Sequence, residues 1–243
     1  GTDGMGMTAE NLVDIHKISR EDQDAFAYHS QMKATKAMES GRLANEIKEV
    51  EIPRRKKEPL VVEQDEFIKP QTRLDVLAKL RPAFRKDGTV TAGNSSGLND
   101  GAAALIVASD QAINKHGLQP KAMILSSAVV GVEPRIMGIG PVEASNKALK
   151  KAGLTMQDMD ITELNEAFAA QSLACIRHWG LKDDDERINP NGGAVAIGHP
   201  LGVTGARLAN TAAIELQKTN KKYALVTMCV GVGQGYAAIL ESV

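Results

Sequence analysis

With 243 residues, 29 basic against 30 acidic side chains and 3% aromatic content, the chain can bury a substantial core in one large domain or two smaller ones. The near-cancelling charge excludes a global field for nucleic acid or an anionic membrane, and the scarcity of aromatics excludes a base-stacking surface, so an anionic partner must be met by a local cluster. Two cysteines, Cys175 and Cys229, are too few for a disulfide framework and point to a reducing, cytoplasmic setting.

The opening Gly1-Thr2-Asp3-Gly4-Met5-Gly6-Met7 has no initiator methionine and runs straight into an apparent helix. It reads as interior sequence of something longer, with a short scar ahead of a complete domain as the alternative. Ser19, followed three positions later by Asp22, predicts a capped helix from Arg20 to Ser40 that Gly41 stops. From Glu51 to Gln71 come three prolines, the basic run Arg54-Arg55-Lys56-Lys57 and short apolar pairs, an irregular or short-stranded excursion.

From Thr89 onward apolar runs alternate with helical patterns: a strand over Met123–Val132, a helix over Pro141–Lys151 with Gly153 after it, and a strand over Met159–Leu164. A helix to about Trp179 follows, then one from about Leu201 to Gln217 and paired strands Tyr223–Cys229 and Gln234–Leu240. Strand and helix in alternation give the α/β class. Thr89–Ala92 leading into Gly101–Val107 is echoed by Val226–Cys229 leading into Gly235–Leu240, each a strand, a Gly-bearing turn and a small-residue strand. A duplicated half accounts for this, as does chance likeness between two Gly/Ala-rich hairpins. No apolar run reaches bilayer length and no basic-then-apolar leader is present, so the chain reads as soluble.

Three places concentrate chemistry. Asn165-Glu166-Ala167-Phe168 sits where a strand gives way to a helix, the end at which open α/β sheets hold ligands; an ordinary cap by Asn165 is the competing reading. His199, between Gly198 and Pro200 ahead of a helix, has the fixed backbone that an oriented proton carrier needs, although a lone histidine is also commonly structural. Cys229-Val230-Gly231 ends an apolar strand before a glycine turn, placing a thiol beside backbone N–H groups; a buried inert cysteine is the competing reading for Cys229 alone and the one adopted for Cys175, which lies mid-helix. Other motifs fail. Gly93-Asn94-Ser95-Ser96-Gly97 has the form of a nucleophile elbow but leads into a strand-like run, glycines 231, 233 and 235 do not complete a dinucleotide fingerprint, and the scattered histidines support no zinc site.

Taken together in this order, Asn-Glu-Ala-Phe at 165–168, Gly-His-Pro at 198–200 and Cys-x-Gly at 229–231 resemble the signatures of the thiolase family. Thr91–Gly101 and Ile136–Pro141 fit it as well, and the resemblance spans essentially all 243 residues. It implies the layered αβαβα thiolase fold, here with residues 1–116 as the loop or lid region and the end of the N-terminal half, residues 117–243 as the C-terminal half, and the N-terminal half incomplete. His199 then resembles the histidine that activates the nucleophile and helps hold the thioester oxygen, and Asn165 the asparagine that fixes a water in the same oxyanion hole. Cys229 resembles the second catalytic cysteine, an acid/base role that suits a thiol because neighbours can lower its pKa toward working pH, and Gly231 a backbone donor to a second oxyanion. Met5, Phe84, Ala92, Ser96 and Phe168 match positions lining the pantetheine channel. Lys69 sits near a basic position at the nucleotide end.

The resemblance further implies coenzyme A and acyl-CoA as substrates with no permanently bound cofactor or metal, a homodimer or homotetramer for the full-length protein, and no nucleic-acid or membrane partner. Residues 180–193 and 228–235 are most similar to the 3-oxoadipyl-CoA thiolases, with acetoacetyl-CoA or general 3-ketoacyl-CoA thiolases as the alternative. The nucleophilic cysteine of the family's first half has no match here. The chain alone is therefore expected not to turn over, and to need that missing half as its partner; a non-catalytic CoA-binding module is the competing class.

Overall fold

The computed structural model describes residues 3–243; Gly1 and Thr2 of the opening stretch lie outside the described residues. Helix α1 (Met5–His16) ends at Lys17, which takes the left-handed conformation. Helix α2 (Arg20–Glu39) starts where its cap places it, with Ser19 Oγ accepting from Asp22 N at 3.0 Å. Past Gly41, the excursion is an antiparallel ribbon, β1 (Val50–Arg54) with β2 (Lys57–Val62), whose basic run is exposed around the tip at Lys56. A short helix α3 (Leu74–Leu77) follows.

The stretch from Thr89 to Val107 departs from expectation. It carries isolated bridges, Pro82 with Thr91 and Ser95 with Phe168, but no strand. A strand requires a neighbour to take its N–H and C=O groups, and among the described residues nothing does this for residues 101–107. Ile106 and Val107 consequently stand 85% and 73% exposed. The first member of the expected duplication has no regular secondary structure here, and helix α4 (Asp110–His116), which Ser109 caps, follows it.

The remaining chain builds one four-stranded sheet in the order β3-β6-β5-β4, from β3 (Ala122–Gly131), β4 (Ile161–Leu164), β5 (Tyr223–Val230) and β6 (Gln234–Ser242). Helices α5 (Gly140–Ala152) and α8 (Thr204–Thr219) cover opposite faces. The two-residue strand period sorts the contacts: Leu225 and Ile239 meet Ala144, Ala148 and Leu149 of α5, while Ala224, Val226 and Leu240 meet Leu208, Ala212 and Leu216 of α8. Helix α6 (Ala169–His178) is buried from Ala169 through Ile176. Its Leu173 and Ala174 pack on Leu12 and Ile18, and its Ile176 on Val142, Leu164 and Ile188. Burying each such Leu or Ile contributes about 1.5–3 kcal/mol. Among the described residues no helix is long and apolar enough to cross a membrane.

What positions chemistry is the parallel pairing of β4 with β5. β4 and β5 run side by side with Leu164 opposite Thr227, so the residue after β4, Asn165, and Cys229 near the end of β5 emerge at the same end of the sheet. Ligand crevices of open α/β sheets form at that end.

Candidate active site

Asn165 is fully buried. Its N–H donates to Thr227 O at 3.0 Å, and α6 begins only at Ala169 behind an extended Phe168, so Asn165 does not cap that helix. Its Nδ2 lies 3.4 Å from His199 Nε2, and its Oδ1 has no hydrogen-bond partner. A buried carbonyl of this kind can accept a hydrogen bond from a ligand or water. Glu166 turns the opposite way, accepting from Ser30 Oγ at 2.6 Å, Asn189 Nδ2 at 2.7 Å and Val195 N at 3.1 Å. The loop that leads to His199 is thereby tied to α2 and to the end of β4. Gly193 sits against this carboxylate so closely that a Cβ there would overlap it.

His199 follows the short helix α7 (Ala194–Ile197) and Gly198, whose φ of 92° suits glycine. Its N–H donates to Gly97 O at 3.0 Å, and its ring Nδ1 is 2.7 Å from Thr204 Oγ1 in the first turn of α8. Burial holds the imidazole pKa below its usual value, and the Arg207 charge lowers it further, so the neutral ring prevails over a wider pH range. Cys229 is 5% exposed and packs with Met137 and Ala167 and against Phe168. That apolar wall pushes its thiol up to about 12, the opposite direction from the lowering that neighbours can produce, because a thiolate there loses water without gaining a cation. Cys175 is wholly buried, donates to Gly138 O at 3.4 Å, and is likewise pushed up by burial. At the following turn Gly231 faces open space, with no heavy atom within 4 Å of where its Cβ would be.

The segment from Thr91 to Gly97 joins these pieces. Asn94 anchors it, donating to Asp24 Oδ1 at 2.9 Å, and its carbonyl accepts Ala169 N, an otherwise unpaired donor at the start of α6. Ser96 donates to Ala167 O through both N (3.1 Å) and Oγ (3.0 Å). Ala92 is exposed on the same segment. Phe84, 44% exposed, stands edge to face on Phe168 with centroids 5.9 Å apart. The Phe84 ring occupies the space a side chain at Gly6 would need, next to the exposed Met5 at the start of α1. Lys69 is exposed, its Nζ 4.6 Å from the Phe67 ring centroid, and Phe67 rests on Gly97.

Structure thus brings Asn165 beside His199, and Cys229, Phe168 and Phe84 into one continuous contact, with Ser96 bonded between. The Lys69 side chain meets the Phe67 ring, while its backbone N–H donates to Gln31 Oε1 at 2.8 Å. Thr204 is a partner that the sequence did not single out; Glu166 and Met137 lie in runs that it did, 165–168 and 136–141, but their contacts were not legible there. A threonine five residues past a histidine was the one local signal for Thr204. Among the described residues no group of three His, Cys, Asp or Glu side chains is placed to hold a metal ion.

Two family models match: "Thiolase, N-terminal domain" over residues 2–111 and "Thiolase, C-terminal domain" over residues 118–242. The chain is 55% identical over all 243 residues to the 3-oxoadipyl-CoA/3-oxo-5,6-dehydrosuberyl-CoA thiolase of Escherichia coli, of which it covers 61%. Among solved structures, the Bacillus anthracis acetyl-CoA acetyltransferase superposes with a TM-score of 0.95 at 44% identity, covering 99% of this chain and 60% of that one. The human mitochondrial 3-ketoacyl-CoA thiolase in complex with CoA superposes at 0.93 and 48% identity, covering 98% and 59%. The chain therefore spans about three fifths of the length of the curated relative it matches.

Proposed function

Because the chain belongs to the thiolase family, we propose that the protein carrying it is a CoA-dependent acyltransferase that cleaves 3-oxoadipyl-CoA to succinyl-CoA and acetyl-CoA, or runs the reverse Claisen condensation. This chain supplies the acid/base half of the site: His199, Asn165, Cys229 and the Gly231 N–H. The sulfur that carries the acyl group comes from residues outside it. Residues 1–116 form the loop region and the end of the N-terminal half, and residues 117–243 the C-terminal half. The observation that supports the reading is Asn165 Nδ2 beside His199 Nε2 at the sheet end where Cys229 also emerges, with Ser96 bonded to Ala167 O and Gly97 O to His199 N.

The chemistry follows from the protonation states. His199 Nε2 takes the proton of the nucleophilic thiol, whose thiolate adds to the 3-oxo carbon. The C2–C3 bond breaks, and the electron pair left on C2 takes the proton of Cys229. That thiol is suited to be the resting acid, since burial keeps it protonated. The resulting Cys229 thiolate then removes the proton of an incoming CoA thiol, which attacks the acyl-enzyme and expels the nucleophile as a thiolate, and that thiolate takes its proton back from His199. Asn165, through its unpartnered Oδ1, holds a water toward the oxyanion. Met5, Phe84, Ala92, Ser96 and Phe168 line the pantetheine path, and Lys69 meets the nucleotide end. CoA and acyl-CoA are substrates, with no resident cofactor or metal; the full-length protein is a cytoplasmic homodimer or homotetramer.

The test compares kcat/KM of the full-length protein on 3-oxoadipyl-CoA and acetoacetyl-CoA, with His199→Ala and Cys229→Ala as variants. Preference for 3-oxoadipyl-CoA and loss of turnover in both variants is the expected result. Equal rates on the two substrates refute the substrate assignment. Robust thiolysis by the 243-residue chain without the upstream half refutes the division of labour.

A further inference from the structure

His199 has two ring nitrogens, and only one of them faces Asn165. The other, Nδ1, meets Thr204 Oγ1 at 2.7 Å, and that hydroxyl lies 3.1 Å from Pro200 O, four residues back on the turn entering α8. Thr204 is 1% exposed, so water does not compete for its hydroxyl. A threonine at a helix start readily donates to the carbonyl four residues earlier. With its one hydrogen so used, Oγ1 has lone pairs left for an N–H.

We propose that Thr204 is the positioning residue of His199, its hydroxyl accepting the Nδ1–H and donating its own hydrogen to Pro200 O, so that a bare Nε2 faces Asn165. The hydrogens then run in one direction, from Asn165 Nδ2 to Nε2 at 3.4 Å, from Nδ1 to Oγ1 and from Oγ1 to Pro200 O. The inference rests on the reading of His199 as a base, since only the tautomer protonated at Nδ1 has an Nε2 lone pair with which to take a proton.

The choice of partner has a chemical consequence. A carboxylate behind the ring would stabilise the imidazolium, whereas a neutral hydroxyl orients it with little bias toward the charged form. Arg207, also on α8, is the charged side chain that bears on the ring, and it too opposes the imidazolium. Its nearest acidic neighbour, Glu163 from β4, lies 3.5 Å from Arg207 Nη1 and is raised to about 8 by burial, so it offsets little of that charge at neutral pH. A proton taken by Nε2 is therefore held briefly and returned readily.

The experiment uses the full-length protein with Thr204→Val, Thr204→Ser and Thr204→Asp, and His199→Ala as the control. Thr204→Val, nearly isosteric, is expected to lower kcat by roughly a hundredfold with KM for acyl-CoA within about twofold, the signature of a lost proton-transfer geometry. Thr204→Ser restores most of that loss. Thr204→Asp shifts the acidic limb of the kcat/KM profile upward by about one pH unit, which a merely structural hydroxyl would not do. If His199→Ala abolishes turnover while Thr204→Val keeps wild-type kcat, or Thr204→Asp folds and leaves the acidic limb in place, this inference is overturned and the role of His199 stands. If His199→Ala itself keeps full turnover, both fall.

Discussion

Glu163 lies in β4 with its carboxyl group fully buried and neither oxygen in a hydrogen bond; Arg207 Nη1 at 3.5 Å is within ion-pair distance but outside hydrogen-bond geometry. Desolvation outweighs that one cation and raises the carboxyl pKa from 4.5 to about 8. Glutamine has the same shape and cannot ionise, so Glu163→Gln isolates the cost of this proton. A carboxyl whose folded pKa is raised contributes stability that is present below the unfolded pKa and is lost as pH rises through the folded one. The window is thus pH 4.5 to about 8. At pH 7 the unfolded chain has released the proton and the native chain has not, which over about 2.5 pH units at ~1.4 kcal/mol each destabilises the wild type by about 3 kcal/mol. The assay is urea unfolding of both proteins across that window. The variant should match the wild type near pH 4.5 and exceed it progressively up to pH 8. A wild-type midpoint that tracks the variant's at every pH, or a variant less stable at pH 8, would falsify the reasoning.

Gly193→Ala drives a methyl group into the Glu166 carboxylate and should cost about 1–3 kcal/mol, read as a lowered melting temperature together with reduced turnover as the His199 loop shifts. Gly6→Ala puts a methyl group where the Phe84 ring lies; if that ring and Phe168 line the pantetheine path, KM for acyl-CoA rises several-fold while melting changes by less, and an unchanged KM removes Phe84 from the path. Cys229, held at about 12 by burial, should resist iodoacetamide at pH 7.5 when peptides are mapped by mass spectrometry, and label faster as pH rises. Rapid labelling at pH 7.5 would show that a cation reaches the thiol.

Local signals predicted much of this architecture. Ser19 with Asp22 marks the start of α2, Gly153 the end of α5, and the apolar runs around Leu164 and Val226 are strands whose alternation the packing honours. The residues drawn together at the sheet end stand out for the same reason, since Asn165, His199 and Cys229 each sit in a short distinctive run. What sequence did not disclose depends on distant atoms. The raised pKa of Cys229 comes from Met137 and Ala167, brought in by other elements. The part played by Glu166 is visible only once Ser30 and Val195 have folded onto it. Residues 101–107 have a strand's composition, but composition provides no neighbour. Thr204 went unnoticed because α8 begins there rather than at about Leu201, which turns a helix-interior residue into one facing the histidine.

The bonds made by Ser96 and Gly97 set a rule for dividing this molecule. Ser96 holds Ala167, and Gly97 holds His199, so the segment acts as a splint whose two ends fix parts of the polypeptide far along the chain. A cut near residue 117 would look harmless, because it falls between two family domains. It would separate the splint from both parts it aligns, and the pieces would have to re-form these bonds in register before His199 regained its orientation. The boundary drawn by homology is therefore not the seam along which the working site comes apart.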